Sequence, residues 1–163
     1  MRNPESKIRK TNELKEIVRR LQAGGKIVVF ANGCFDLLHV GHVRYLAGAK
    51  SLGDILIVGI NGDDGIAALK GDGRPLQGIR ERMEIVASLA CVDYCLVFDS
   101  PTVDGILEEL KPDIHAKGTD YTEDSVPERN TVMSYGGRVA IAGDPKDHSS
   151  RDLIKTIVNR FRP

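Results

Sequence analysis

Residues 26–42 read KIVVFANGCFDLLHVGH, an apolar run followed by a turn that contains glycine and two histidines. Ile27 to Phe30 are continuously apolar, which is typical of a parallel strand covered on both faces. We expect Asn32 and Gly33 to end this strand, since glycine allows a tight turn and a close approach of the backbone to a ligand. Residues 40–52 have the length and apolar spacing of a helix that follows directly.

The two histidines lie at the start of this predicted helix. A helix N-terminus presents free N–H groups and the positive end of the helix dipole, and it therefore favours a bound anion. His39 and His42 are spaced i, i+3 and should share one face. Imidazole donates a hydrogen bond to a phosphoryl oxygen and, when protonated, offsets negative charge on it. The stretch thus predicts a site for nucleotide phosphates.

Strand and helix patterns alternate along the whole chain. Further strands are predicted at 55–60, 94–98, 114–117 and 139–141, and helices at 11–22, 40–52, 79–90, 103–110, 126–135 and 150–161. This alternation predicts an α/β fold, Rossmann-like and doubly wound, with a mostly parallel five-stranded sheet and helices on both faces. We expect a single domain over residues 1–163, with a packing helix in 1–25 and the catalytic core in 26–163.

Composition and charge exclude several functional classes. The 23 basic and 23 acidic residues balance, so no overall field attracts nucleic acid. No stretch approaches the roughly 20 apolar residues of a membrane span, and the N-terminus lacks a signal-peptide pattern. We therefore expect a soluble, cytoplasmic protein with no membrane or nucleic-acid partner.

The cysteine and histidine spacings argue against metal binding by the protein itself. Cys34, Cys91 and Cys95 lack C-x-x-C spacing, which excludes a zinc site of that kind and a disulfide framework. Ligand types alone allow a metal on Asp36, His39 and His42, but histidines at a helix start beside a glycine turn suit an anion better. The other two histidines, at 115 and 148, are isolated and predicted to be structural or on the surface.

Several short motifs together resemble one enzyme family. N-G-C-F-D at 32–36 followed by H-V-G-H at 39–42 is similar to the HxGH signature of the cytidylyltransferase-like nucleotidyltransferases. The similarity continues with LKGDGRP at 69–75, ERM at 81–83, VD at 92–93, KGTDY at 117–121 and SS at 149–150, and so spans residues 26–157. Within this superfamily the set most resembles the adenylyltransferases that make ADP-heptose from heptose 1-phosphate, either as separate enzymes or fused to a sugar kinase.

The resemblance implies an activity and a set of site residues. It implies transfer of AMP from ATP, with Mg²⁺, to heptose 1-phosphate, giving ADP-heptose and pyrophosphate for lipopolysaccharide or surface-glycan precursors. It also implies catalytic roles for His39, His42, Lys70 and Arg82; nucleotide binding by Asn32, Gly33, Phe35, Asp36, Gly41, Asp63, Lys117, Gly118, Asp120, Ser149 and Ser150; and substrate binding by Arg74 and Tyr121. A homodimer and a separate sugar kinase are expected on the same basis.

Individual motifs carry narrower expectations. Asn61 to Asp64 reads equally well as a plain turn or as a ribose contact through Asp63. Lys70 to Pro75 is a polar, glycine-containing loop that is expected to close over phosphates. Arg82 should lie beside the apolar stripe of its helix and reach the triphosphate. Ser150 is the expected N-cap of the last helix.

Two departures from the heptose pattern keep other functions open. Thr119 stands where the resembling enzymes have a second glycine, and Arg151 stands where they have a threonine. One alternative is a cytidylyltransferase that acts on glycerol 3-phosphate or a related alcohol phosphate. A second alternative is a nucleotide-binding regulator without turnover.

Overall fold

A computed structural model describes residues 3–145 and 148–161. Its centre is a parallel five-stranded sheet with the strand order β3-β2-β1-β4-β5. The strands are β1 (Val28–Gly33), β2 (Ile55–Asn61), β3 (Tyr94–Phe98), β4 (Ile114–Lys117) and β5 (Arg138–Ile141). The predicted fold class is confirmed.

Helices connect and cover the strands. They are α1 (Thr11–Ala23), α2 (Val40–Lys50), α3 (Asp63–Lys70), α4 (Ile79–Ser88), α5 (Asp104–Leu110), α6 (Arg129–Ser134) and α7 (Ser150–Arg160). Short 3-10 turns span Pro4–Lys7 and Glu123–Ser125. In the part of the chain that the structure describes, every helix is too short or too polar to span a bilayer.

Alternate residues of the central strand β1 explain its unbroken apolar sequence. Val29 and Ala31 pack with residues of α2 and α4 on one face of the sheet. Val28 and Phe30 pack with residues of α1, α5 and α6 on the other face. All four side chains are fully buried, and burial of a side chain as large as valine or phenylalanine stabilises the fold by about 1.5–3 kcal/mol.

The order of the strands places the ligand crevice. From β1 the chain runs outward through β2 to β3, and it then crosses back to place β4 on the other side of β1. Ligands of doubly wound sheets bind at the carboxyl ends of the strands where the winding reverses. Asn32 near the end of β1 and Lys117 at the end of β4 lie at this point.

Three predicted elements differ from the structure. β1 continues through Asn32 and Gly33, because both pair in register with β2. Residues 61–64 are neither a plain turn nor a loop, since Asp63 opens helix α3. The helix predicted over 126–135 begins only at Arg129, because Val126 is extended and buried.

Helix α7 packs less than its sequence pattern suggests. Its apolar stripe was predicted from residues 153, 154, 157, 158 and 161. Ile154 is half-buried, whereas Leu153, Ile157, Val158 and Phe161 are exposed. In the described structure α7 borders the crevice at its N-terminus.

Candidate active site

A cavity of about 1210 Å³ opens at the carboxyl ends of β1 and β4. The starts of α2 and α7, the end of α3 and residues 117–121 surround it. It brings together most of the residues predicted from sequence: Asn32, Gly33, Phe35, His39, Gly41, His42, Lys70, Arg74, Lys117, Gly118, Asp120, Tyr121, Ser149 and Ser150. Asp36, Asp63 and Arg82 do not line it.

His42 is oriented as a neutral hydrogen-bond donor. Its Nδ1 atom accepts the backbone N–H of His39 at 3.3 Å, so the proton of the neutral ring resides on Nε2. Burial, together with nearby His39 and Lys70, lowers the pKa of His42 to about 4. In the ligand-free protein near pH 7, His42 therefore offers an N–H group rather than the positive charge that the sequence also allowed.

Tight packing explains the glycines of the motif. The rings of His39 and His42 stack with centroids 3.9 Å apart. A Cβ atom on Gly41 would lie 3.0 Å from the His39 ring, and one on Gly33 would lie 3.0 Å from the Phe35 ring. The Phe35 ring in turn contacts His42 edge-on, with centroids 5.3 Å apart. Gly33 and Gly41 are thus required because a larger residue would press on the aromatic rings packed beside them.

Two helix N-termini point into the same cavity. Ser149, not Ser150, caps α7, because its Oγ accepts the backbone N–H of Asp152 at 3.1 Å. Ser150 Oγ instead donates to the Leu37 carbonyl at 3.1 Å and ties α7 to the loop before α2. The positive ends of both helices therefore border one cavity, an arrangement that favours an anion.

Asp36 organises a loop instead of lining the cavity. Its buried carboxylate accepts the backbone N–H groups of Leu76 at 2.7 Å and Gln77 at 3.0 Å, and it pairs with Arg74 Nε at 2.7 Å. These contacts hold residues 71–78 directly after Lys70, whose exposed side chain lines the cavity.

Arg82 is fully buried, which differs from the predicted contact with the triphosphate. Its guanidinium donates to the carbonyls of Cys34 and Asn61, both at 2.7 Å, and of Gln77 at 3.0 Å. It also pairs with Asp63 at 2.6 Å. Asp63, which was predicted to contact the ribose, and Arg82, which was predicted to contact the triphosphate, therefore bind each other. Arg82 thus connects the ends of β1 and β2 through hydrogen bonds and does not line the cavity.

Lys117 carries a charge that is already balanced. Its Nζ donates to Glu128 Oε1 at 3.1 Å and to Asn32 Oδ1 at 3.2 Å, and it lies 5.5 Å from the centroid of the Tyr121 ring. The pair is almost entirely buried, so the charge of Lys117 is balanced by Glu128 within the protein.

Several cavity residues were missed in the sequence, among them Arg44, Tyr45, Asp144 and Lys155. Arg44 and Lys155 lie within two turns of the starts of α2 and α7. Their closeness to these helix starts was the sequence feature that could have identified them as cavity residues. Arg44 pairs with Asp144 at 3.0 Å. Thr119 Oγ1 donates to the Asp144 carbonyl at 2.8 Å, and its φ lies outside the left-handed region, so a glycine is not needed there.

The cysteines form no disulfide, and the described residues form no metal site. All three cysteines have free thiols, and burial raises the pKa of Cys34, which lines the cavity. Across residues 3–145 and 148–161, no cluster of three or more His, Cys, Asp or Glu side chains has the arrangement of a metal site.

A family model described as "Cytidylyltransferase-like" matches residues 30–157. The chain belongs to this family. It is 46% identical over 157 residues to the "Bifunctional protein HldE" of Syntrophotalea carbinolica, and 46% identical over the same length to that of Geobacter sulfurreducens. Each alignment covers 96% of the chain but 32% of the relative, so the chain spans about a third of their length.

A solved structure supports the family assignment. The crystal structure of the lipopolysaccharide core biosynthesis protein from Thermoplasma volcanium GSS1 is 32% identical, with a TM-score of 0.60. The match covers 72% of this chain and 94% of that one. The fold and the family predicted from the HxGH motif are therefore both confirmed.

Proposed function

We propose that this chain transfers AMP from ATP to a sugar 1-phosphate, heptose 1-phosphate in particular, and releases pyrophosphate. The observation that carries the proposal is the convergence of the His42 Nε2–H donor and two helix N-termini on one cavity. Family membership supports nucleotidyl transfer, and the name of the solved relative supports a glycan precursor as the product.

The reaction needs no protein nucleophile. A phosphate oxygen of the acceptor attacks the α-phosphorus in line, and a new P–O bond forms as the bond to the α,β-bridging oxygen breaks. The electron pair leaves on pyrophosphate. Because the acceptor phosphate is already ionised, catalysis consists of positioning and charge stabilisation. His42 donates from Nε2 to a non-bridging oxygen, while His39 stacks on it and keeps the ring in place.

The remaining phosphates are held by cations and helix ends. Lys70 and the N-terminus of α7, with Ser149 and Ser150, bind the β- and γ-phosphates. Mg²⁺ enters with ATP as part of the substrate. Arg82 acts as a positioning residue that fixes the Cys34 carbonyl and Asp63.

The acceptor binds on the side formed by the segment after β4. Lys117, Gly118 and Asp120 lie next to the nucleotide, and Tyr121 and Arg74 face the sugar phosphate. Arg44, Arg151 and Lys155 add positive charge along the same cavity, which suits two ligands that both carry phosphates.

The biological setting follows from the substrates. A sugar 1-phosphate arises by phosphorylation of a sugar, so a sugar kinase acts upstream in the cytoplasm, where ATP is available. We also propose a homodimer, which sedimentation at several protein concentrations tests independently of activity.

A substrate grid tests the proposal. Pyrophosphate release is measured with Mg²⁺, with ATP or CTP against heptose 1-phosphate or glycerol 3-phosphate, and with chelator as a control. Release in the lane with ATP and heptose 1-phosphate alone supports the proposal. Release with CTP shows a cytidylyltransferase, and ATP binding without release in any lane shows a nucleotide-binding regulator; either result overturns it.

A further inference from the structure

The amide of Asn32 is held by two buried donors. Its Oδ1 atom lies 3.2 Å from Lys117 Nζ and 3.1 Å from His115 Nε2. Because an ammonium group only donates, the amide atom that faces it must be the oxygen. The NH₂ group of Asn32 is therefore directed away from both partners, and Asn32 itself lines the cavity.

The sheet register explains why these groups meet. His115 of β4 pairs with Phe30 of β1, and the two rings lie with centroids 5.9 Å apart. Side chains two residues apart on a strand point to the same face. Asn32 thus follows Phe30, and Lys117 follows His115, on one face of two neighbouring strands.

The chemical state of His115 is fixed by the same contact. Since Asn32 Oδ1 is an acceptor, the neutral imidazole must carry its proton on Nε2. Burial and the nearby Lys117 lower the pKa of His115 to about 3, so the ring remains a neutral donor across the physiological range.

Packing alone does not account for this histidine. His115 is completely buried, and a buried polar group costs free energy unless it is hydrogen-bonded. An apolar side chain would fill the position between Ile114 and Ala116 without that cost. The hydrogen bond to Asn32, a residue that lines the cavity, is the property that an apolar residue cannot supply.

We propose that His115 is a positioning residue that, together with Lys117, fixes the Asn32 amide so that its NH₂ group donates to a phosphoryl oxygen of the bound nucleotide. This inference rests on the proposed function and deepens it. Lys117 is itself held by Glu128, so hydrogen bonds connect Glu128 through Lys117 to Asn32 and His115.

A double-mutant cycle tests the inference. Wild type, His115→Leu, Asn32→Ala and the double variant are compared by kcat, by KM and by the ATP dissociation constant from calorimetry. His115→Leu lowers kcat about tenfold in the wild-type background and changes nothing further in the Asn32→Ala background. His115→Gln, which keeps an N–H donor, recovers most of the loss.

Two results overturn the inference. One is an equal fold-change from His115→Leu in both backgrounds, as a purely structural role predicts. The other is a His115→Gln variant no better than His115→Leu. Thermal unfolding verifies that each protein is folded, and His115→Met is a second donor-free variant for the same cycle if His115→Leu does not fold.

The proposed function and the positioning role of His115 can be refuted separately. A wild type that binds ATP but releases no pyrophosphate overturns the proposed function, while the four ATP dissociation constants still measure the coupling between His115 and Asn32. A wild type that binds no nucleotide overturns both. If the wild type turns over normally but the effects of His115→Leu and Asn32→Ala simply add, only the positioning role of His115 is overturned.

Discussion

His42 Nδ1 accepts the backbone N–H of His39 at 3.3 Å, which leaves the proton of the neutral ring on Nε2 in a residue that lines the cavity. The hydrogen bond is formed between the N-cap and the third residue of α2, so the first turn of the helix itself sets the tautomer. The donor is therefore ready before substrate binds.

Replacing His42 removes this donor without removing core packing. We predict that His42→Ala keeps the fold and lowers kcat at least about a hundredfold, the scale of losing one preorganised donor. Steady-state pyrophosphate release and thermal unfolding measure the two effects. Val43→Ala is the matched control, since Val43 is an exposed neighbour on α2 that does not line the cavity. Near-normal turnover of His42→Ala would contradict the mechanism.

Gly41 is required by the His39 ring, because a Cβ there would lie 3.0 Å from it. We predict that Gly41→Ala displaces the stacked imidazoles and lowers kcat roughly tenfold to a hundredfold, the cost of a small misplacement of a catalytic group. Gly105→Ala is the control, since nothing lies within 4 Å of its added Cβ. The control should retain activity and gain about 0.4–1 kcal/mol of stability; equal activity of both variants would refute the packing argument.

Asp36 should matter for stability as well as for catalysis. Asp36→Ala leaves Arg74 and two backbone N–H groups without their acceptor. Breaking a buried ion pair costs about 3–5 kcal/mol, and the loop after Lys70 should become sensitive to protease. Denaturant unfolding measures the loss.

The exposed pair between Glu16 and Arg19, at 3.5 Å, provides the comparison for Asp36. Glu16→Ala should change the free energy of unfolding by less than about 1 kcal/mol. A similar small change in both variants would show that Asp36 does not hold the loop.

Two histidines with lowered pKa values, His42 and His115, predict how stability depends on pH. Burial lowers the pKa of His42 to about 4 and of His115 to about 3, below the ordinary value of about 6.5. The folded state therefore binds fewer protons than the unfolded state. The resulting contribution to the free energy of unfolding is complete above about pH 6.5. It is lost as the pH falls toward the folded-state pKa values of the two histidines.

A variant separates this effect from the titration of carboxylates. Between about pH 6 and 4, His115→Leu should flatten the dependence of the unfolding free energy on pH by about 1.4 kcal/mol per pH unit. Denaturant unfolding at several pH values gives the slopes. Parallel curves for wild type and variant would contradict the assignment of a buried neutral histidine.

Local patterns predicted where the two histidines lie. The run from residue 27, the glycines and the histidines are close in sequence, so strand, turn and helix spacing alone placed His39 and His42 at the start of α2. The doubly wound fold then put Asn32 and Lys117 at one edge of the sheet. These inferences needed only periodicity and the rule for parallel sheets.

Contacts between residues far apart in sequence could not be predicted from local patterns. Arg82 is bound by carbonyls 48 and 21 residues away in sequence, from Cys34 and Asn61, and no local pattern reveals such partners. Its helix showed an apolar stripe, which indicated a neighbouring position but not full burial. Helix α3 was missed because the residues at its start, Asn61 to Asp64, are also typical turn formers, although only Asp63 and Asp64 belong to the helix.

The most direct test follows a heavy-oxygen label placed on the phosphate of heptose 1-phosphate. After turnover with ATP, mass spectrometry of the products should find the label in the nucleotide sugar and none in pyrophosphate, because the acceptor oxygen attacks the α-phosphorus. Label in pyrophosphate or in free phosphate, or an unlabelled nucleotide product, would contradict in-line transfer to the sugar phosphate.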